Sequence, residues 1–297
     1  MRIVVTGSQG FLGKNFVSHI KSQTRVSTLQ IDICNGAERI IDICTLQPLT
    51  SVLSTEDTIY HFAGIADSSR DFAEQYLICR INILGTLNIC EAAFRVGAKV
   101  VLISSSWIYS MTTNPELAEH ADYSHHGSRH SYSTSKVCAE LIVKMYSQRG
   151  LRTTIIRPFN PYGPHMWKGL VIRDMLDKAQ RGTDVIVFGD GSTRRSFVYT
   201  DDFCEALALV SSHTADGRTY DLCGPETTSM LELARKIGAR FGVGVAFCDV
   251  PQRHGEYRYP ESFTPKSEWT DFGWKPQISL DEGLERLLTF EEARPRG

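Results

Sequence analysis

The segment Arg2-Ile3-Val4-Val5-Thr6-Gly7-Ser8-Gln9-Gly10-Phe11-Leu12-Gly13 constrains the fold of this chain more than any other. Its first half is short, apolar and β-branched, which predicts a buried strand. Its second half spaces glycines at 7, 10 and 13, and an amphipathic stretch runs on through Ile20. A strand that turns on glycines straight into a helix opens a βαβ unit. Gly7 permits the tight turn. Gly10 lets the backbone approach a pyrophosphate closely, and Gly13 lets helix and strand pack together. The helix N-terminus then offers free N–H groups and a positive dipole end to phosphate.

A second strand, Val26 to Ile31, ends at Asp32. A carboxylate about twenty residues beyond the glycine turn can accept hydrogen bonds from the adenosine ribose hydroxyls, and it repels a 2′-phosphate. Ile33 and Cys34 follow, not arginine. NAD is therefore expected rather than NADP.

Further strands are read at Thr58 to Gly64, Lys99 to Ile103 and Thr153 to Ile156. Helices are read at Leu77 to Val96, stopped by Gly97, and from Ser131 to Arg149. Alternation of strand and helix over the first 165 residues or so predicts an α/β doubly wound parallel sheet. The remainder mixes helices (170–181, 201–211, 230–241, 280–290) with short strands. At 297 residues the chain suits one large or two coupled domains. A net charge of −2 gives no reason to expect nucleic acid or an anionic membrane. No run of 18 apolar residues predicts a membrane span, and a first strand starting at residue 2 leaves no room for a signal peptide. The eight cysteines contain no CxxC pair and read as small buried hydrophobes in a reducing, cytoplasmic compartment. His120, His125, His126 and His130 crowd one loop without metal-ligand spacing, so no metal is expected there.

Tyr132 and Lys136 lie four apart, on one face of a helix. A phenol is a poor base at pH 7, and a neighbouring ammonium favours the phenolate. The pair suits removal of a proton from a sugar or alcohol hydroxyl while a hydride leaves the carbon. Taken alone, it also fits an ordinary surface helix.

The ordered set as a whole resembles the extended short-chain dehydrogenases/reductases of the nucleotide-sugar epimerase/dehydratase kind. It comprises the glycine turn, Asp32, Asp42-Ile43, His61-Phe62-Ala63-Gly64, Asn82-x-x-Gly85-Thr86, Ser104-Ser105-Ser106 ahead of Tyr109 and Tyr132-x-x-x-Lys136. It continues through Arg157-Pro158-Phe159-Asn160-Pro161-Tyr162-Gly163-Pro164, Gly189-Asp190-Gly191, Arg195-Ser196-Phe197-Val198-Tyr199 and Phe272-Gly273-Trp274-Lys275-Pro276. The resemblance implies a Rossmann domain over residues 1–165, with segments near 195–223 returning to it. Residues 166–297 would form a smaller α/β C-terminal domain, mainly for a nucleotide sugar.

Position by position, the resemblance implies that Ser105 hydrogen-bonds the substrate oxygen beside Tyr132. Lys136 would hold the nicotinamide ribose and lower the tyrosine pKa. The cofactor site would draw on Gly7, Gly10, Phe11, Leu12, Gly13, Asp32, Phe62, Ala63, Gly64, Asn82, Ser104 and Pro158, with Asp42 and Ile43 at the adenine. Ser106 and Asn160 would meet the substrate, Phe188 its base, and Arg195 its diphosphate. Arg253 or Arg258 would be a second phosphate arginine, or else solvated loop residues. A homodimer is implied through the helices at 77–96 and 131–149.

In such families the dehydratases place an acidic pair directly after the catalytic Ser/Thr, and the sugar-acid decarboxylases a Glu two residues after it. Here those positions hold Ser106 and Trp107, which cannot serve as general acid or base. The expectation is a 4-epimerase working through a transient 4-keto sugar, with a UDP-sugar favoured. A dehydratase, a reductase or a silent NAD-binding protein stands as the alternative.

Overall fold

The computed structural model describes residues 1–23, 26–66, 74–111, 131–212, 216–249 and 272–293. In chain order the strands are β1 (Arg2–Thr6), β2 (Ser27–Asp32), β3 (Arg39–Ile40), β4 (Asp57–His61), β5 (Lys99–Ile103) and β6 (Arg152–Pro158), then β7 (Val185–Phe188), β8 (Arg194–Ser196), β9 (Arg218–Leu222), β10 (Thr227–Ser229) and β11 (Val245–Cys248). The helices are α1 (Phe11–Gln23), α2 (Leu46–Val52), α3 (Gln75–Cys79), α4 (Gly85–Val96), α5 (Ser131–Gln148), α6 (Val171–Gln180), α7 (Thr200–Ser212), α8 (Met230–Phe241) and α9 (Leu280–Glu292).

Seven strands form one sheet in the order β3-β2-β1-β4-β5-β6-β9, all parallel. Successive side chains of a strand point to opposite faces, so a sheet covered on both sides needs near-continuous apolar strands. On β1, Ile3 and Val5 pack with Phe16 of α1 and Phe203 and Leu207 of α7. Val4 faces the other layer, with Leu49 of α2, Ile89 of α4 and Val143 of α5. The fold is thus a doubly wound α/β sheet. Its strand order reverses at β1, which leaves a crevice at the C-terminal ends of β1 and β4, where ligands of such sheets bind.

A third apolar cluster belongs to the C-terminal part. Ile172 and Leu176 of α6, Val185 and Val187 of β7, Leu233 and Ile237 of α8, and Leu284 and Leu287 of α9 close it. Its strands form two small pairs, β7 with β11 in parallel and β8 with β10 antiparallel. The chain re-enters the large sheet through α7 and β9.

One departure from the sequence reading matters for the site. The helix read continuously up to Gly97 is α3, then a π-helical turn over Arg80–Leu84, then α4. The π turn carries Ile81 and Ile83, whose branched side chains crowd a regular helix, and it rotates Asn82 inward until it is 2% exposed. Gly97, at φ 78, ends α4 as expected. By length and by the mean hydropathy of its 18-residue window (1.4) the 22-residue run Gln75–Val96 could cross a membrane, yet half of that window is buried within the protein, as in a core helix.

Candidate active site

The glycine turn is built as its spacing requires. Gly7 has φ +70, and a Cβ there would meet the Ala63 amide nitrogen at 2.6 Å. A Cβ on Gly13 would collide with the Gly7 carbonyl, with its carbon at 2.9 Å and Ser8 Cα at 3.0 Å. The turn, the start of α1 and the end of β4 are therefore in backbone contact. Asp32, at the end of β2, reaches back to this turn: its Oδ2 accepts from Gln9 N at 2.8 Å. Its Oδ1 accepts from Ile33 N at 2.7 Å and Cys34 N at 3.1 Å. A backbone cradle that any side chain would fill, flanked by a fixed carboxylate, fits a dinucleotide.

Behind the cradle lies a buried polar chain. Thr86 Oγ1 donates to Asn82 O at 2.7 Å, so its oxygen is left to accept from His61 Nε2–H at 3.1 Å. That assigns the tautomer: Nδ1 accepts from Thr6 Oγ1 at 2.8 Å. Burial pushes the His61 pKa down to about 3, and Lys136 pushes the same way, so the ring is neutral. The Asn82 amide donates to Ile65 O at 3.0 Å and to Ser135 Oγ at 2.9 Å, and Ser135 Oγ donates to Tyr132 O at 2.7 Å. The glycine turn is thus tied to the Tyr132 helix through a satisfied network.

Tyr132, Ser105 and Lys136 come together, each buried, at 7%, 6% and 8% exposure. Trp107 N donates to Ser105 Oγ at 3.2 Å, which leaves the Ser105 hydroxyl proton for the phenol oxygen of Tyr132, its hydrogen-bond partner. Burial holds the Tyr132 pKa above the ordinary value and the Ser105 bond pulls it back down. Lys136 Nζ donates to Ile103 O at 2.8 Å, and burial brings its own pKa down to about 8. Ser105, not Lys136, is therefore the group that favours the phenolate in this structure, because the ammonium is aimed at the Ile103 carbonyl.

Several other expected residues are used differently. Ser104, read as a cofactor contact, gives its hydroxyl to Glu140 Oε1 at 2.6 Å. The Ile43 side chain, read at the adenine, is 5% exposed and packs in the core beneath Gly85. Phe62 packs on Phe16 and Phe203. Ser106 is 1% exposed, at the head of a 3-10 turn, Ser106–Met111. Asp42 is half-exposed, holds Cys44 N at 2.9 Å and pairs with Arg80 at 3.4 Å. Leu12 packs against both the large-sheet core and the C-terminal core, and Phe11 meets Trp167 edge-on at 5.7 Å. Pro158 pairs with Leu222 in the sheet.

On the substrate side, Asn160 has φ 39 and donates to Ser196 O at 2.9 Å, next to Arg195 on β8. Phe188 is half-exposed at the end of β7. Arg253, Arg258 and the histidine-rich loop lie outside the described residues.

Residues 3–223 match the NAD dependent epimerase/dehydratase family. The chain belongs to that family. Among the relatives of this family member is the UDP-glucuronic acid decarboxylase 1 of Xenopus tropicalis, 28% identical over 97% of this chain and 72% of that protein. Another is the dTDP-glucose 4,6-dehydratase of Streptomyces antibioticus, 25% identical over 98% and 92%. The UDP-glucose 4-epimerase of Thermus thermophilus, solved in complex with NAD, shares the fold with TM-score 0.83, 24% identity and coverage of 99% and 100%. The family member described here is an NAD-dependent enzyme, and the glycine cradle and Asp32 are the parts of the chain that would hold the cofactor.

Sequence reasoning passed over a second buried network, behind Ser105. Arg157 forks onto Glu140, Nε to Oε1 at 3.0 Å and Nη2 to Oε2 at 2.7 Å. Its Nη1 donates to Tyr109 OH at 2.8 Å, and Tyr109 OH donates to the Asp221 carboxylate at 2.7 Å. The signal was present: Glu140 lies one turn beyond Lys136 and two beyond Tyr132 on the same helix face.

Proposed function

We propose that the enzyme is a nucleotide-sugar 4-epimerase, with a UDP-sugar as the favoured substrate. The observation that carries the reading is the chemistry after Ser105. Ser106 is buried and Trp107 is apolar, so neither supplies the acid or base that elimination of water or protonation after loss of a carboxylate requires. The described carboxylates behind the serine, Glu140 and Asp221, are engaged by Arg157, Ser104 and Tyr109. Hydride removal and return needs no such group.

NAD, when bound, supplies the acceptor and donor of the C4 hydride. The chain's own residues do the rest. Tyr132, as phenolate, takes the proton of the C4 hydroxyl and later returns it. The hydroxyl of Ser105 donates toward the oxygens that carry charge, first the phenolate and then the sugar oxygen. Lys136 keeps a positive charge in a site whose burial excludes water, where charge counts for more than at the surface. The β8 arginine Arg195 is the proposed diphosphate partner, since a planar fork of donors matches a diphosphate.

The names of the relatives favour a second reading, a dehydratase or decarboxylase. A panel of nucleotide sugars, incubated with and without added NAD and followed by NMR, separates the two. A C4 epimer with no net NADH supports the proposal; a 4-keto-6-deoxy sugar or loss of carbon dioxide replaces it with the second reading. We also propose a homodimer. Tyr76 (82% exposed), Leu84 (39%), Leu141 (49%) and Met145 (38%) sit on α3, the π turn and α5, an apolar surface that a second copy would cover.

A further inference from the structure

We infer that Glu140 is a positioning residue for the catalytic group, fixing the segment of Ser105 and supporting the charge of the Lys136 ammonium from the next turn of the same face of α5. The inference rests on the roles proposed above for Tyr132, Ser105 and Lys136. Residues 132, 136 and 140 occupy successive turns of one helix face. Glu140 is 0% exposed. A carboxylate there is costly unless it is paired and hydrogen-bonded, and apolar residues would serve packing as well or better. In the fold the charge is compensated by buried Arg157.

Its bonds show where the charge acts. Ser104 donates to Oε1 at 2.6 Å, and Ser104 is the residue before Ser105, so the carboxylate anchors the segment that presents the catalytic hydroxyl. Arg157 binds both oxygens from β6. Arg157 is also shared: through Tyr109 it meets Asp221 of β9. Glu140 and Asp221 together carry two negative charges, which face Arg157, half-buried Lys144 and, one turn away, Lys136. The charged and titratable groups facing this cluster are Lys136 and half-buried Lys144 from α5, Arg157 from β6, Tyr109 from the 3-10 turn, Asp221 from β9 and neutral His61 from β4. Burial lowers the Lys136 pKa to about 8 and Glu140 opposes that fall. Removing the carboxylate charge therefore favours the neutral amine.

The test is Glu140→Gln, compared with Glu140→Asp. Lysine Cε NMR follows the Lys136 titration, assigned by the signal lost in Lys136→Met, and turnover is followed against pH. Glu140→Gln should lower the Lys136 midpoint by about one pH unit. The alkaline limb of turnover should move down with it, because a step that needs the ammonium is lost as pH rises through that pKa. Glu140→Asp keeps the charge and should restore the midpoint. If Glu140→Gln does not fold, Glu140→Gln combined with Arg157→Met leaves neither ion of the pair buried alone; compared with Arg157→Met, from which it differs only by the carboxylate charge, it should show the lower midpoint. A folded Glu140→Gln with the wild-type midpoint, or a double variant with the midpoint of Arg157→Met, overturns the inference. If the wild type turns over no nucleotide sugar, the proposed activity fails, while the lysine titration still decides the role of Glu140.

Discussion

Gly13→Ala and Gly10→Ala should separate the two jobs of the glycine turn. At Gly13 the new methyl would lie 2.9 Å from the Gly7 carbonyl carbon and 3.0 Å from Ser8 Cα, with the Gly7 oxygen nearer still. All three are backbone atoms of a turn pinned against Ala63, so α1 must move away from β1. Overpacking of that kind costs about 1–3 kcal/mol. At about 2–4 °C per kcal/mol for a chain somewhat smaller than this one, the apo protein should melt several degrees lower. At Gly10 the nearest atom is the Gly7 oxygen at 3.2 Å, which can yield by a few tenths of an ångström. Gly10→Ala should leave the apo melting temperature within about a degree of wild type. Its methyl, however, stands where the pyrophosphate would approach, and NAD affinity should drop by at least about tenfold, or 1.4 kcal/mol. Differential scanning fluorimetry reads the first quantity and titration calorimetry with NAD the second. Wild-type NAD affinity in Gly10→Ala would refute the assignment of the turn to the cofactor phosphates. An unchanged melting temperature in Gly13→Ala would refute the packing argument.

Tyr132→Phe should keep fold and NAD binding but reduce turnover by about 10²–10⁴-fold, the usual worth of a positioned acid–base group; Ser105→Ala should cost less, since it leaves the base in place. Asp32→Ala should narrow the preference for NAD over NADP in paired calorimetric titrations, and tighter NADP binding by the wild type would contradict the ribose role of Asp32. His61 has a folded pKa near 3 against an ordinary 6.5, so the unfolded chain binds a proton that the folded one refuses. Stability should therefore be full above about pH 6.5 and fall by up to about 1.4 kcal/mol per pH unit between there and pH 3, and His61→Gln should flatten that part of the melting-temperature profile. Light scattering at micromolar concentration should give a dimer mass, and Leu141→Glu with Met145→Glu should shift it to monomer.

The parts of the fold that were legible in the sequence are those set by local chemistry. Buried parallel strands need unbroken apolar runs, and β1 and β5 show them; Gly97 stops a helix by conformation alone. The π turn at Arg80–Leu84 was not legible, because its apolar spacing is also that of a regular helix. The edge strand Arg39–Ile40 and the short α2 are likewise held by neighbours rather than by pattern. At the site, Tyr132, Lys136 and the glycines announced themselves by spacing within one element. Glu140, Arg157, Tyr109 and Asp221 come from four separate elements and have no common spacing. Ile43 and Ser104 show the converse limit, in which a motif position was legible but not the direction of its side chain.

The two buried networks explain why the group Tyr132, Ser105 and Lys136, proposed above as catalytic, can be both desolvated and ordered. Desolvation alone would neutralise Lys136 and keep Tyr132 protonated, since burial opposes both charged forms. The structure counters each effect with a separate, local partner. Ser105 donates to the phenol oxygen and favours the phenolate, while the Glu140 carboxylate supports the ammonium. Ser104 and Ser105 are adjacent, so one short segment at the end of β5 meets both partners: Ser104 binds the carboxylate and Ser105 the phenol. On the opposite side the Asn82–Ser135 bond fixes the backbone carbonyl of Tyr132, and Thr86 and His61 carry that restraint back to Thr6, one residue before the glycine turn. The glycine turn and the Tyr132–Ser105 pair, the proposed cofactor cradle and proton-transfer group, therefore share one hydrogen-bonded frame.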